Sequence, residues 1–213
     1  MRVTACIGFL HPEGGHSGWA SMTCGGGTPR QVAKVALFID GEDLHLSAEA
    51  LGFDLDYQKL LEKFRSRGTI LRAIYYIAIA EKQEKQSGIR PLVDWLDYNG
   101  FSIRSKSTKE YVDAGGRRKV RGNICIELAA DAMALAEQLD EMVLFSGNRD
   151  FQPVVKAVQR RGVRVTVVST IATSPAMAAD ELRRQADCFV DLVNLRSDCA
   201  RHPSDRRTPR HTP

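Results

Sequence analysis

Several carboxylates stand where an alternating α/β chain would bring them together. Asp40 directly follows the apolar run VALFI at 35–39, and Ser146, Gly147, Asn148 and Asp150 directly follow the run MVLF at 142–145. Glu127 and Asp131 are four residues apart, so they share one face of a predicted helix, and Asp131 sits amid Ala129, Ala130 and Ala132. If the strands ending at Asp40 and Phe145 are neighbours, their ends converge on one cleft, and the acidic helix face can look into it. Carboxylates gathered in this way repel one another unless a cation or protons relieve the charge. A hard divalent ion held by oxygen ligands, Mg²⁺ or Mn²⁺, is the economical partner. Such an ion would polarise a phosphate and lower the pKa of a bound water. A plainer role stands beside this one, with Asp40 capping a helix or turn and Glu127 solvating a helix.

The elements that must position these residues follow from hydrophobic periodicity. Short apolar runs at 35–39, 70–79, 101–105, 142–145 and 163–168 read as five strands. Helical spacing marks Tyr57–Arg67, a segment opened by Pro91, a long helix from Asn123 to Gln138, Phe151–Arg161 and Ala178–Ala186. Strands separated by helices imply parallel pairing through right-handed crossovers, hence a three-layer α/β/α domain with a mainly parallel sheet. The stretch 106–121 is polar, carries Gly115-Gly116, and reads as a loop or loose hairpin. Its cluster Arg117, Arg118, Lys119 and Arg121 could grip a phosphate backbone beside the acidic helix, or simply be solvated. Tyr75, Tyr76, Trp95 and Tyr98 read as core or interface rather than base-stacking platforms.

The net charge of +4 over 213 residues belongs to the ends of the chain. Residues 35–195 hold 22 basic and 23 acidic residues, whereas 1–34 contribute +2 and 196–213 contribute +3. Residues 1–33 are rich in Gly and small polar residues and read as a flexible leader; 196–213 read as a basic disordered tail; 34–195 form the domain. The five cysteines are widely spaced, with no CxxC pair, which fits free thiols in a reducing, cytoplasmic setting. No apolar run approaches the roughly 20 residues of a membrane span, and the opening residues lack the unbroken apolar stretch of a secretory signal.

FIDGEDL at 38–44, RRKVRGNICIELAADAM at 117–133, LFSGNRDF at 144–151, VQRRGVRVTVVSTI at 158–171 and ADELRRQADCFVDL at 179–192 together resemble the NYN-domain family. The likeness is to its bacterial, LabA-related branch and covers roughly 34–195. It implies a PIN-like metal-dependent nuclease fold with strand order 3-2-1-4-5, and hydrolysis of RNA with Mg²⁺ or Mn²⁺. By this resemblance Asp40, Asp131 and Asp150 are the catalytic metal ligands, with Asp43, Glu127 and Asn148 as auxiliary ones. Ser146 and the basic cluster at 117–121 would contact RNA.

Three positions depart from the family's acidic pattern. Cys125 and Asn148 stand where aspartates are expected, and Asp43 stands where asparagine is usual. A thiolate is a soft ligand poorly matched to Mg²⁺, and an asparagine oxygen carries no charge. The resemblance therefore implies a ribonuclease of weakened activity, or a catalytically inactive nucleic-acid-binding or regulatory protein using the same cleft. A homodimer is compatible with the exposed β–α edges. Other phosphate chemistry fits less well: DGED lacks the DxD spacing of haloacid-dehalogenase-like phosphatases, and the chain has no Walker P-loop.

Overall fold

The structure is a computed structural model that describes residues 32–80, 89–112, 118–121 and 124–202. A seven-stranded sheet organises it. In chain order the strands are β1 (Lys34–Asp40), β2 (Thr69–Ala80), β3 (Ser102–Val112), β4 (Arg118–Arg121), β5 (Glu141–Phe145), β6 (Arg164–Ser169) and β7 (Cys188–Asp191). The spatial order is β4-β3-β2-β1-β5-β6-β7. All pairs are parallel except β3–β4. The five strands expected from sequence thus lie in the expected order, as β3-β2-β1-β5-β6. One short strand extends the sheet at each edge.

Burial on both faces explains why the central strands are continuous apolar runs rather than alternating ones. Val35, Leu37 and Ile39 of β1 pack against one helical layer: α1 (Gly41–Ala50), α2 (Tyr57–Arg65) and α3 (Arg90–Tyr98). Ala36 and Phe38 point the other way, towards α4 (Cys125–Leu135), α5 (Gln152–Gln159) and α6 (Asp180–Gln185). Tyr75 and Tyr76 are fully buried on opposite faces, as expected of core residues, whereas Tyr98 lies 92% exposed. Among the described residues, no helix is long and apolar enough to cross a membrane.

Three differences from the sequence expectation have local causes. No helix was expected over 41–50, because its buried face is only Gly41, Leu44, Ser47 and Ala48, too thin an apolar stripe to register as periodic. The strand expected at 101–105 runs on to Val112 and turns back as β4, so the polar stretch is a strand and hairpin over its described part. The third concerns the C-terminal boundary. Arg196–Cys199 form α7, Cys199 is fully buried, and Ala200 bridges Leu55, so the folded unit continues past 195. Leu192, Leu195 and Cys199 carry the apolar stripe across that boundary, and Lys63 clasps Asp198 at 2.6 Å. Residues 1–31 and 203–213, most of the expected leader and tail, lie outside the described residues.

A polar network ties the amino ends of the strands together. Glu141 Oε1 accepts from Arg67 Nη1 at 2.7 Å and from Thr166 Oγ1 at 2.7 Å, and the Arg67 guanidinium lies 5.3 Å from the Phe64 ring centroid. Glu141→Ala leaves the Thr166 hydroxyl without its acceptor and the Arg67 guanidinium with only its longer bond to Thr166 Oγ1, 3.3 Å. The expected cost is about 2 kcal/mol of unfolding free energy in urea titrations. An unchanged midpoint would mean that water replaces the carboxylate without loss.

Candidate functional site: the carboxyl edge of β1 and β5

The chain runs β1-β2-β3-β4 to one side, then returns to place β5 against the other flank of β1. Ligands of parallel sheets bind at such a reversal of strand order. Ile39 pairs with Phe145, so Asp40 and Ser146 emerge side by side at this point. Asp40 is both strand end and N-cap of α1. Its Oδ1 accepts from Asp43 N at 3.5 Å, and its Oδ2 from Ser146 Oγ at 3.3 Å. The capping role and the site role therefore coincide in one residue. Gly41 is required by close approach, since a Cβ there would lie 2.6 Å from Cε1 of Tyr75.

Asp40 is only 7% exposed, and burial, followed by the neighbouring charge of Asp43, pushes its pKa up to about 6. Asp43 is also raised by burial, partly offset by hydrogen bonds from Gly147 N–H and Ser146. The Gly147 N–H donates to Asp43 Oδ2, so the charge that replaces the family's asparagine has a structural anchor on the opposite strand end.

The loop after β5 is held by its own side chains. Ser146 Oγ accepts from Asn148 N at 3.2 Å, and Asn148 Oδ1 accepts from Asp150 N at 3.0 Å, capping a 3₁₀ turn over Arg149–Phe151. Asp150 itself is exposed on that turn. The Asn148 Nδ2 lies 3.9 Å from the Cys125 Sγ at the start of α4. The two positions that lack their expected aspartates therefore touch one another.

The acidic face of α4 meets positive charge from β3. Tyr76 Oη donates to Asp131 Oδ2 at 3.0 Å, and Arg104 Nε donates to the same oxygen at 3.1 Å. Lys106 Nζ lies 2.5 Å from Glu127 Oε1 and holds that carboxyl below its usual range. Burial, with the Asp131 charge second, raises the Tyr76 phenol and keeps it a hydrogen-bond donor. The second oxygen of Glu127 is buried and takes no hydrogen bond among the described residues.

Asp40, Asp43, Ser146, Asn148 and Cys125 thus form one connected group, while Glu127 and Asp131 are engaged by β3 and Asp150 faces outward. Among the described residues, no group of three or more His, Cys, Asp or Glu is placed to hold a metal ion. As arranged, these side chains do not form a hard-cation cage: the closely linked donors include a sulfur and a neutral amide, and Asp131 is already matched by a guanidinium. Tyr76, Arg104 and Lys106 were not anticipated as site residues. Arg104 and Lys106 had a legible signal, two basic residues at a spacing of two in the strand segment FSIRSKST. Arg118, Lys119 and Arg121 lie on β4 in the edge hairpin; Arg117 lies outside the described residues.

A mostly parallel sheet with acidic residues at its switch point, closed by helices on both faces, defines a PIN-like α/β/α domain. The chain belongs to the NYN domain family, which matches residues 34–194. It is similar to the low amplitude and bright protein LabA of Synechococcus elongatus, 34% identical over 169 residues that span 78% of this chain and 87% of LabA. It is also similar to a crystal structure of a protein of unknown function from Vibrio parahaemolyticus, with 25% identity and a TM-score of 0.62, covering 78% of this chain and 96% of that one.

Proposed function

We propose that this chain is an RNA-binding NYN protein of the ribonuclease type in which metal-dependent phosphodiester hydrolysis is weakened. The observation that carries this reading is the contact between Cys125 and Asn148, the two expected aspartates replaced at one point beside Asp40. The family resemblance assigns Mg²⁺ or Mn²⁺ to Asp40, Asp131 and Asp150, a set that fits the ion poorly here, with Asp131 engaged by Arg104 and Asp150 exposed. The chain's own contribution is to bind and orient RNA through Arg117, Arg118, Lys119 and Arg121 on the phosphate backbone; Ser146, expected to join them, is instead buried, with its hydroxyl engaged by Asp40 and Asn148. The proposed setting is the cytoplasm.

The test is cleavage of single-stranded RNA in Mn²⁺ by the purified wild type beside the double substitution Cys125→Asp, Asn148→Asp. The substituted protein is expected to cut at least about tenfold faster, the scale on which altered metal surroundings act. Equal rates that persist when Arg104→Met is added to both proteins would refute the weakening.

The ion pairing of Asp131 with Arg104 favours a second reading, a binder with no hydrolysis. It is distinguished by RNA affinity that is the same in chelator and in Mn²⁺, with no cleavage by the wild type.

A further inference from the structure

We propose that Arg104 is a built-in counter-ion for Asp131, occupying the place the NYN resemblance gives to a divalent cation, so that the cleft binds RNA without metal. The counter-ion itself rests on geometry; its consequence for RNA rests on the reading given under the proposed function.

Arg104 is positioned for this by the register of three strands. Asp40 pairs with Tyr76, and Tyr76 pairs with Arg104, so acid, phenol and guanidinium form one row across the sheet where β1 ends. The phenol and the guanidinium donate to the same oxygen of Asp131, at 3.0 Å and 3.1 Å. The second pair, Lys106 with Glu127, forms at the same time because the spacings agree. Four residues along a helix advance about 6 Å, and two along a strand about 6.6 Å. Two cations on β3 therefore match two carboxylates on α4, pair for pair. An incoming divalent ion would meet a fixed positive charge at the carboxylate it needs.

The arrangement does not have the marks of a device for holding the fold together. Arg104 is 49% exposed and Asp131 30%, and pairs this open to solvent contribute little to stability. Arg104→Met removes the charge while leaving an apolar side chain of similar length at the position paired with Tyr76, so the variant is expected to fold.

The test uses the full chain and Mn²⁺ as probe. Thermal unfolding of wild type, Arg104→Met and the double substitution Arg104→Met, Asp131→Asn is followed in chelator and in millimolar Mn²⁺. The wild-type midpoint is expected to stay put. That of Arg104→Met should rise in Mn²⁺ by roughly 3 °C or more, and the added Asp131→Asn should abolish the rise. A wild-type midpoint that itself rises by roughly 3 °C or more in Mn²⁺ overturns the proposal, and that arm requires no variant to fold. An Arg104→Met protein with no response overturns it as well. Alongside, binding of a single-stranded oligoribonucleotide is measured by fluorescence anisotropy. Wild-type affinity should change less than about twofold between chelator and Mn²⁺, whereas that of Arg104→Met should fall severalfold in chelator and recover with Mn²⁺. No RNA binding under any condition refutes the RNA reading itself and leaves the counter-ion to be decided by the Mn²⁺ arm.

Discussion

Replacing Asp40 by asparagine is expected to stabilise the domain by about 3 kcal/mol near pH 8 and to leave it almost unchanged near pH 4. The carboxyl is buried beside Asp43, and its pKa stands at about 6 against an ordinary 3.8. Below both values it is protonated in the folded and the unfolded chain, and it imposes no electrostatic cost on folding. As the pH rises from about 4 to about 6 the unfolded chain ionises first, so stability is lost across that window. Above it the native state carries the full cost of a buried charge facing another. Asparagine keeps one oxygen to accept from the Asp43 N–H, its amide nitrogen can donate to Ser146 Oγ where Oδ2 now accepts, and it is as good an N-cap as aspartate. The cap survives while the charge is removed. The measurement is urea unfolding of both proteins at several pH values in chelator, so that no added cation relieves the charge. Parallel stability curves for the two proteins would show that Asp40 ionises normally.

Gly147→Ala should be the most damaging of the small substitutions at the site. A Cβ at this position would fall well inside contact distance of the Met177 carbonyl oxygen, and 2.7 Å from Ser169 Oγ. Neither side can give way easily. The Gly147 N–H is bonded to Asp43, and the Gly147 carbonyl accepts from Ala179 N at 2.9 Å, so the loop is pinned at both of its backbone groups. The expected loss is about 3 kcal/mol, or a fall of roughly 6–12 °C in the midpoint for a domain of this size. Gly52→Ala provides the contrast: it carries positive-φ strain at +71° with nothing within 4 Å, and should cost only about 1 kcal/mol. If the two substitutions cost the same, the close approach at Gly147 is not what matters. Because Asn148 is the next residue, the Gly147 variant should also lose the Asn148–Cys125 contact, which Cys125 reactivity toward a thiol reagent can report.

The frame of the fold was legible because buried parallel strands and amphipathic helices leave patterns that survive without tertiary context. VALFI and MVLF could be little else, and Asp40 and Ser146 follow them directly in the chain. What escaped was set by tertiary partners. Helix α1 buries a glycine, a serine and an alanine besides Leu44, so its apolar face was too thin to show. The extension of β3 opens on a polar residue because Lys106 pairs with Glu127 of α4 instead of entering a core. For the same reason Glu127 and Asp131 could be placed on one helix face but not assigned a partner: a carboxylate pair at helical spacing is equally consistent with a metal and with two cations on a strand. Arg104 and Lys106 supply the second arrangement, and only the register of β3 against β2 brings them to it. The boundary at 195 failed differently. A tail was read from arginines and prolines, and the apolar spacing of Leu192, Leu195 and Cys199 was outweighed by composition.

The Cys125–Asn148 contact also bears on how such a site can change over generations. An aspartate restored at 125 alone would bring a new negative charge against the Asn148 amide, and one restored at 148 alone would bring it against sulfur. Either would enter a cleft where Asp40 and Asp43 already resist ionisation. Neither single reversal gains a complete set of oxygen ligands, and both together still leave Asp131 engaged by Arg104. On the proposed reading the two positions are therefore coupled, so that each substitution alone adds charge to the cleft without completing a ligand set.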